Sequence, residues 1–280
     1  MTATTTTRPP VTAVWRRPTP SPLRVFRAVT RSEWTKMRSV RSTMWTLAVT
    51  VALAIGFGAL VGVSQVNNWD TVTPVERLRF DPTSFSLSGL FLAQMAIGVL
   101  GVLMITSEYA TGQIHATLGA TPRRLTVLAA KTVTFVVVVV AVGLAASFSA
   151  FGIGQAIFAG KDIGVSLGDP GVLRAVVGGG LYLAAVGALG LGLGTILRRT
   201  AGAIAALVGL LLVIPLVTTF LPASWNEHLT RYLPAQAGMA AIRVVPDATS
   251  LSPWTGFAVL VVYASLSLVV GGLLLTRRDA

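Results

Sequence analysis

KTVTFVVVVVAVGLAASFSAFGIGQAIF, residues 131–158, carries no charged side chain after Lys131. A helix crosses the hydrocarbon of a bilayer with about 20 apolar residues, so this stretch can span and still tilt or bend at its serines and glycines. Further uncharged blocks repeat the pattern, and the spans are expected near residues 44–64, 87–106, 130–157, 175–197, 201–221 and 254–276. The chain of 280 residues is 53% hydrophobic and 11% charged with a mean hydropathy of +0.75. That is too little polar surface to cover a water-soluble globule. Because the apolar residues come in long blocks rather than at core spacing, lipid is the expected solvent. The fold class predicted is all-α: a polytopic integral membrane protein with six transmembrane helices and an N-terminal amphipathic interfacial helix.

Residues 1–22 are Thr, Pro and Arg with little to bury, and are expected to be a disordered cytoplasmic tail. The first apolar block starts only near Met44, after a basic region too long for a signal peptide, and is read as an anchor that stays. Between tail and anchor, residues 23–43 place Leu23, Phe26, Trp34 and Met37, with Met44 beyond, on one helical face. Arg24, Arg27, Arg31 and Arg38 fall beside it, with Lys36 in the same segment. An apolar stripe with Trp flanked by arginines is how a helix lies in the headgroup layer on anionic lipid; a basic anchor that only sets topology is the plainer alternative. Residues 44–280 form the six-helix domain. Gly190 and Gly194 in the fourth span, and Gly58 and Gly62 in the first, have the small-xxx-small spacing of close helix pairs, and Pro215 is expected to kink the fifth. On the outer side, residues 222–253 contain SWNEHLTRYLPAQAGMAAI, which reads either as a short helix dipping into or lying on the outer leaflet or as a hydrated loop.

Loop charge orients the bundle. With both termini inside, Arg24, Arg27, Arg31, Lys36, Arg38, Arg41, Arg123, Arg124, Lys131, Arg198, Arg199, Arg277 and Arg278 are cytoplasmic, with three arginines of the tail. Only Arg77, Arg79, Lys161, Arg174, Arg231 and Arg243 lie outside. The net charge of +12 is therefore mostly a topology signal, and nucleic acid is not an expected partner. Arginine carries nearly all of it, a bias that fits a GC-rich bacterial genome and hence a multi-pass protein of a bacterial plasma membrane.

The absence of Cys excludes thiolate–metal sites. His115 and His228 are expected on opposite sides, and the chain contains no HExxH or GxxxxGK[ST] motif. No catalytic, metal or cofactor-binding residue is assigned, and an energy source has to come from a partner. The spans lack ionisable groups at mid-depth, which disfavours an ion-coupled carrier. Their polar residues, Gln94, Ser147, Ser149 and Gln155, are expected to bond neighbouring helices.

The stretch that points to a function is ITSEYATGQIHATLGATPRRLTVLAAK, residues 105–131. Glu108 sits at the membrane edge, Gly112 permits a sharp backbone change, a short apolar-containing segment follows, and Pro122, Arg123 and Arg124 stop it before Lys131. The sequence here resembles the permease subunits of type-2 ABC exporters, in Glu108, Gly112, Gln113, Ile114, Leu118, Pro122, Arg123, Ala130 and Lys131. SEWTKMRS, Ser32 to Ser39, is similar to the entry helix of actinobacterial members, as is Arg277-Arg278 with Asp279 to their ends. The resemblance implies that two permease chains pair, each gripped by a separate ATP-binding subunit that uses ATP and Mg, while this chain binds no cofactor. It further implies that residues 107–124 are the coupling helix, docked through Glu108, Arg123 and Arg124 and shaped by Gly112 and Pro122. Residues 23–43 (Phe26, Arg31, Trp34, Lys36, Met37, Arg38) would be the connecting helix, and Phe57, Phe91 and Gln94 would line a path for apolar cargo. The alternatives are a membrane-embedded lipid-processing enzyme, for which Asp70, Glu76 and Asp81 are the clustered outer acids, and a non-transporting scaffold or immunity-type protein.

Overall fold

The computed structural model describes residues 21–120, 123–222, 228–245 and 250–277, and among them every regular element is a helix. Helix α1 (Pro22–Ser39) opens with proline in its first turn and places Lys36 and Arg38 in its last, where cations complement the exposed carbonyls. It stops at Val40, which is extended (φ −84°, ψ 109°), and α2 (Arg41–Asn68) restarts at once. The expected interfacial helix over 23–43 therefore ends at Ser39, and residues 41–43 belong to the first span. One extended residue suffices to redirect the chain, because it breaks the i to i−4 hydrogen-bond ladder.

Two short helices, α3 (Pro74–Leu78) and α4 (Pro82–Ser86), follow α2 and lead into the second span, α5 (Leu90–Ala110). After α6 (Gln113–Ala120) the third span, α7, runs Arg124–Phe158. It begins earlier than the expected residue 130, because Leu125–Ala130 contains no residue that stops a helix. The fourth span is α8 (Val172–Leu197). The fifth comprises α9 (Thr200–Val208), a π-helical turn at Gly209–Val213, and α10 (Ile214–Thr218). After α11 (Pro234–Met239) the sixth span, α12 (Pro253–Arg277), closes the chain. All six spans are long and apolar enough to cross a bilayer, so the protein is an all-α polytopic membrane protein.

Helix α8 forms the centre: 83% of its most apolar window is buried, against 22% for the fifth span, which lies at the periphery. It packs against α5, α7 and α12. Glycine makes this possible, since a methyl group at Gly190 would meet the carbonyl oxygen of Gly98, and one at Gly101 that of Gly187. Gly194 faces Val102 and Ile105 of α5, while Gly58 and Gly62 of α2 face Ser86 and the Ile157–Phe158 end of α7, so both small-xxx-small pairs are packing faces. The irregularity expected from Pro215 lies just ahead of it: the π-helical turn Gly209–Val213 ends two residues before the proline, and the Ile214 N–H reaches back to the Gly209 carbonyl, a π-type bond. That widened turn accommodates the residue whose missing N–H would otherwise leave an α-helical carbonyl unpaired.

At the end of the bundle remote from α1 and α6, the connections are folded rather than loose. The Asp81 carboxylate accepts from Thr83 N (3.0 Å), Ser84 N (3.1 Å), Ser84 Oγ (2.6 Å), Val244 N (2.8 Å) and Val245 N (3.1 Å). It thus caps α4 and fastens a distant loop to it. Arg174, in the first turn of α8, donates to the carbonyls of Ala241 (2.9 Å) and Arg243 (2.8 Å). Within the segment read as a helix at the outer leaflet or a loop, residues 223–227 are outside the described residues. The part that forms α11 and the 3-10 turn Ala240–Ile242 is helical rather than a loose loop and is packed into the bundle: Ala235, Ala237 and Ala240–Ile242 are buried against α8 and α12. Short apolar residues let this backbone enter the bundle, and Arg174 satisfies its carbonyls there.

Inside the spans, Tyr182 of α8 donates to Gln94 of α5, and Ser147 of α7 donates to the Val176 carbonyl of α8 at 2.6 Å. Gln155 of α7 donates to Ser86 (3.0 Å) and accepts from Val165 N (2.7 Å), whereas Ser149 is exposed.

Candidate functional site

The sequence places one acid on α1, Glu33, with Lys36 one turn later on the same face. Glu108 is in the last turn of α5, and Lys131 lies two turns into α7. Folding brings the four together. Lys36 Nζ donates to Glu33 Oε1 and Glu108 Oε1, both at 2.9 Å, while Lys131 Nζ donates to Glu33 Oε2 at 2.6 Å and to Glu108 Oε1 at 2.9 Å. Charges of opposite sign alternate around a closed ring of zero net charge, joining α1, α5 and α7.

Burial gives the ring its weight. Glu33 and Lys131 are each 1% exposed and Glu108 5%. An isolated charge at such depth would be strongly unfavourable, and each is tolerated because its partners are equally fixed. Lys36, with 39% of its side chain exposed, closes the ring towards solvent. Burial alone would lower the pKa of its ammonium, but the hydrogen bonds to Glu108 and Glu33 outweigh it and hold the group above its ordinary value. Glu108 Oε2 is buried without a hydrogen-bond partner among the described residues. A cavity of about 590 Å³ adjoins the ring, lined by both carboxylates and both lysines, the α2 residues Thr43 and Thr46, and Gln113 and Thr117 of α6.

Gly112 joins α5 to α6 at φ +71°, a left-handed conformation that suits glycine, so the sharp change anticipated there is real. Ile114 (2% exposed) and Leu118 (8%) form an i, i+4 stripe that pins α6 down, while Gln113, His115, Ala116 and Gly119 remain exposed. Arg123 is exposed, whereas Arg124 is half-buried and donates to the Leu275 carbonyl at 2.8 Å. Arg198 reaches the Leu274 carbonyl at 3.2 Å, so two arginines cap the C-terminal end of α12. Pro122, Arg278 and Asp279 are outside the described residues.

Of the residues expected to meet a partner, then, Glu108, Lys131, Ile114 and Leu118 face inward and hold the element in place. Gln113 and Arg123 face outward. On α1, Met37 is buried and Phe26 half-buried, whereas Leu23 (71%) and Trp34 (45%) are exposed beside Arg31 and Arg38. The three residues assigned to a path separate. Phe57 and Phe91 share a cavity of about 350 Å³ with Phe85, Met239, Ile242 and Arg243, but Gln94 is fully buried between α5 and α8. Asp70, Glu76 and Asp81 are each engaged with separate partners: Asp70 pairs with Lys161 at 2.7 Å, Glu76 forms a capping box with Thr73, and Asp81 holds its loop. Among the described residues no three His, Asp or Glu side chains gather as metal ligands.

Glu33 is the member of the ring that sequence reasoning left without a role. A signal existed: lysine occurs only at positions 36, 131 and 161, and each of these forms an ion pair with a carboxylate. Rare lysine in an arginine-rich chain marks positions where a compact ammonium is needed. Compared with known proteins, the chain matches no family model and no curated protein.

Proposed function

We propose that this chain is the membrane subunit of an ATP-driven exporter of the ABC type, working as a pair of such chains with a separate ATP-binding subunit that uses ATP and Mg. In this reading both termini are cytoplasmic in a bacterial plasma membrane, as the basic excess on the side of α1 and α6 supports. Helix α6 is the element the ATPase grips, through Gln113, His115, Ala116 and Arg123. The observation that carries the reading is the buried ring of Glu33, Lys36, Glu108 and Lys131. A push on α6 reaches α5 directly through Gly112 and α7 through the following connection, and the ring passes it to α1. Such bracing suits an element that must transmit force rather than yield to it. The aromatic cavity at Phe57, Phe85 and Phe91 favours apolar or amphipathic cargo.

The test is co-expression with the ATPase encoded beside this chain, followed by purification in mild detergent. Gln113→Ala combined with Arg123→Ala, both exposed, should reduce retained ATPase at least about tenfold while leaving the melting temperature of the permease unchanged. Wild-type chain that retains no ATPase, under conditions where a known ABC complex survives, sinks the proposal.

A further inference from the structure

Helix α1 carries four exposed arginines, Arg24, Arg27, Arg31 and Arg38, and a single acid, Glu33, which is turned inward and committed to the lysine ring. Among the described residues none of these arginines forms an ion pair. The outer face of the helix is thus uncompensated positive charge. Arg27 and Arg31, one turn apart, border a groove of about 370 Å³ whose other walls are Phe26, Thr30 and Trp34 of α1 and Val133, Thr134 and Val137 of α7. Val133 is 45% exposed and Val137 60%, on a helix that crosses the bilayer. Val137 lies six residues, about 9 Å along the axis, beyond Lys131 into the span. The groove therefore begins at a pair of guanidinium groups and ends on hydrocarbon-facing valines.

We propose that this groove is a specific site for one anionic phospholipid, with its phosphate between Arg27 and Arg31 and an acyl chain along Val133 and Val137. Charge complementarity selects the head: guanidinium groups bind phosphate through paired hydrogen bonds, and no neighbouring carboxylate competes for them. The valine floor selects the tail, because a soluble anion or a water-soluble protein has no reason to cover a span at that depth. Trp34 sits between the two, where an indole favours the interface. A lipid held there joins α1 to α7 from the outside, as the pairing of Glu33 with Lys131 joins them from within. The site stands independently of the exporter reading.

The experiment uses the full chain purified without any ATPase and native mass spectrometry of bound lipid, from an equal mixture of phosphatidylglycerol and phosphatidylcholine. The wild type should prefer phosphatidylglycerol on the order of thirtyfold, the scale expected for two arginines near a surface charge. Arg27→Gln with Arg31→Gln should bring the preference close to parity, whereas Arg24→Gln with Arg38→Gln, which removes the same charge elsewhere on α1, should leave most of it. Equal loss in both double variants, or no preference in the wild type, would overturn the site and leave only diffuse attraction. Loss of ATPase from the Arg27/Arg31 variant in the co-expression assay, with its lipid preference intact, would overturn it too and assign these arginines to protein docking.

Discussion

Lys131 and Lys36 hold the same two carboxylates from opposite sides of the solvent boundary, and their removal should not be equivalent. Lys131→Met leaves Glu33 Oε2 without its partner at a site 1% exposed, whereas Lys36→Met opens a position that water already reaches. Breaking a fully buried pair costs about 3–5 kcal/mol, because the remaining charge is stranded. The Lys131 variant should therefore melt well below wild type in detergent, with the Lys36 variant close to it. Similar melting points for both would mean that the ring is hydrated and contributes little. The same burial explains why the ring was only partly legible from sequence: Glu108, Lys131 and Lys36 stood out individually. Nothing local to Ser32–Ser39 says that Glu33 points at α7 rather than at solvent.

The packing of α5 on α8 depends on what glycine lacks. Gly190 meets the backbone of Gly98, while Gly152 of α7 has open space around the position of a Cβ. An added methyl at an open helical glycine gains up to about 1 kcal/mol of helix propensity, and forced separation of packed helices costs about 1–3 kcal/mol. Gly152→Ala should thus leave the melting temperature unchanged or raised, and Gly190→Ala should lower it. The same sign for both would show that α5 and α8 are not held by this contact. Elements also divide by how far their sequences disclosed them. The spans were found to within a few residues, whereas the break at Val40 and the burial of α11 were not, since both depend on what the segment packs against.

The molecule as a whole has a basic end, with α1, α6 and the arginines capping α12, and an opposite end tied together by Asp81 and Arg174. The exporter reading puts the basic end in the cytoplasm, and the chain contains no cysteine to confuse a labelling experiment. Leu78→Cys, at a residue 85% exposed on α3, should react with a membrane-impermeant maleimide on intact cells. Arg38→Cys, exposed on α1, should react only after lysis. The reverse pattern would invert the topology and remove α6 from the reach of any cytoplasmic ATPase.

The number of spans, their approximate positions and the charge asymmetry along the chain were determined by sequence alone. Each is a property of a contiguous run, and transfer into a bilayer depends on the length and polarity of that run rather than on its neighbours. Tertiary structure alone decided which charges left solvent. Glu33 and Lys131 are 98 positions apart, and their contact at 2.6 Å exists only because α1 folds back onto α7 at Val40. The meaning of a glycine, a carboxylate or an arginine in this protein depends on the helix opposite it, and that choice is made by packing over the whole bundle.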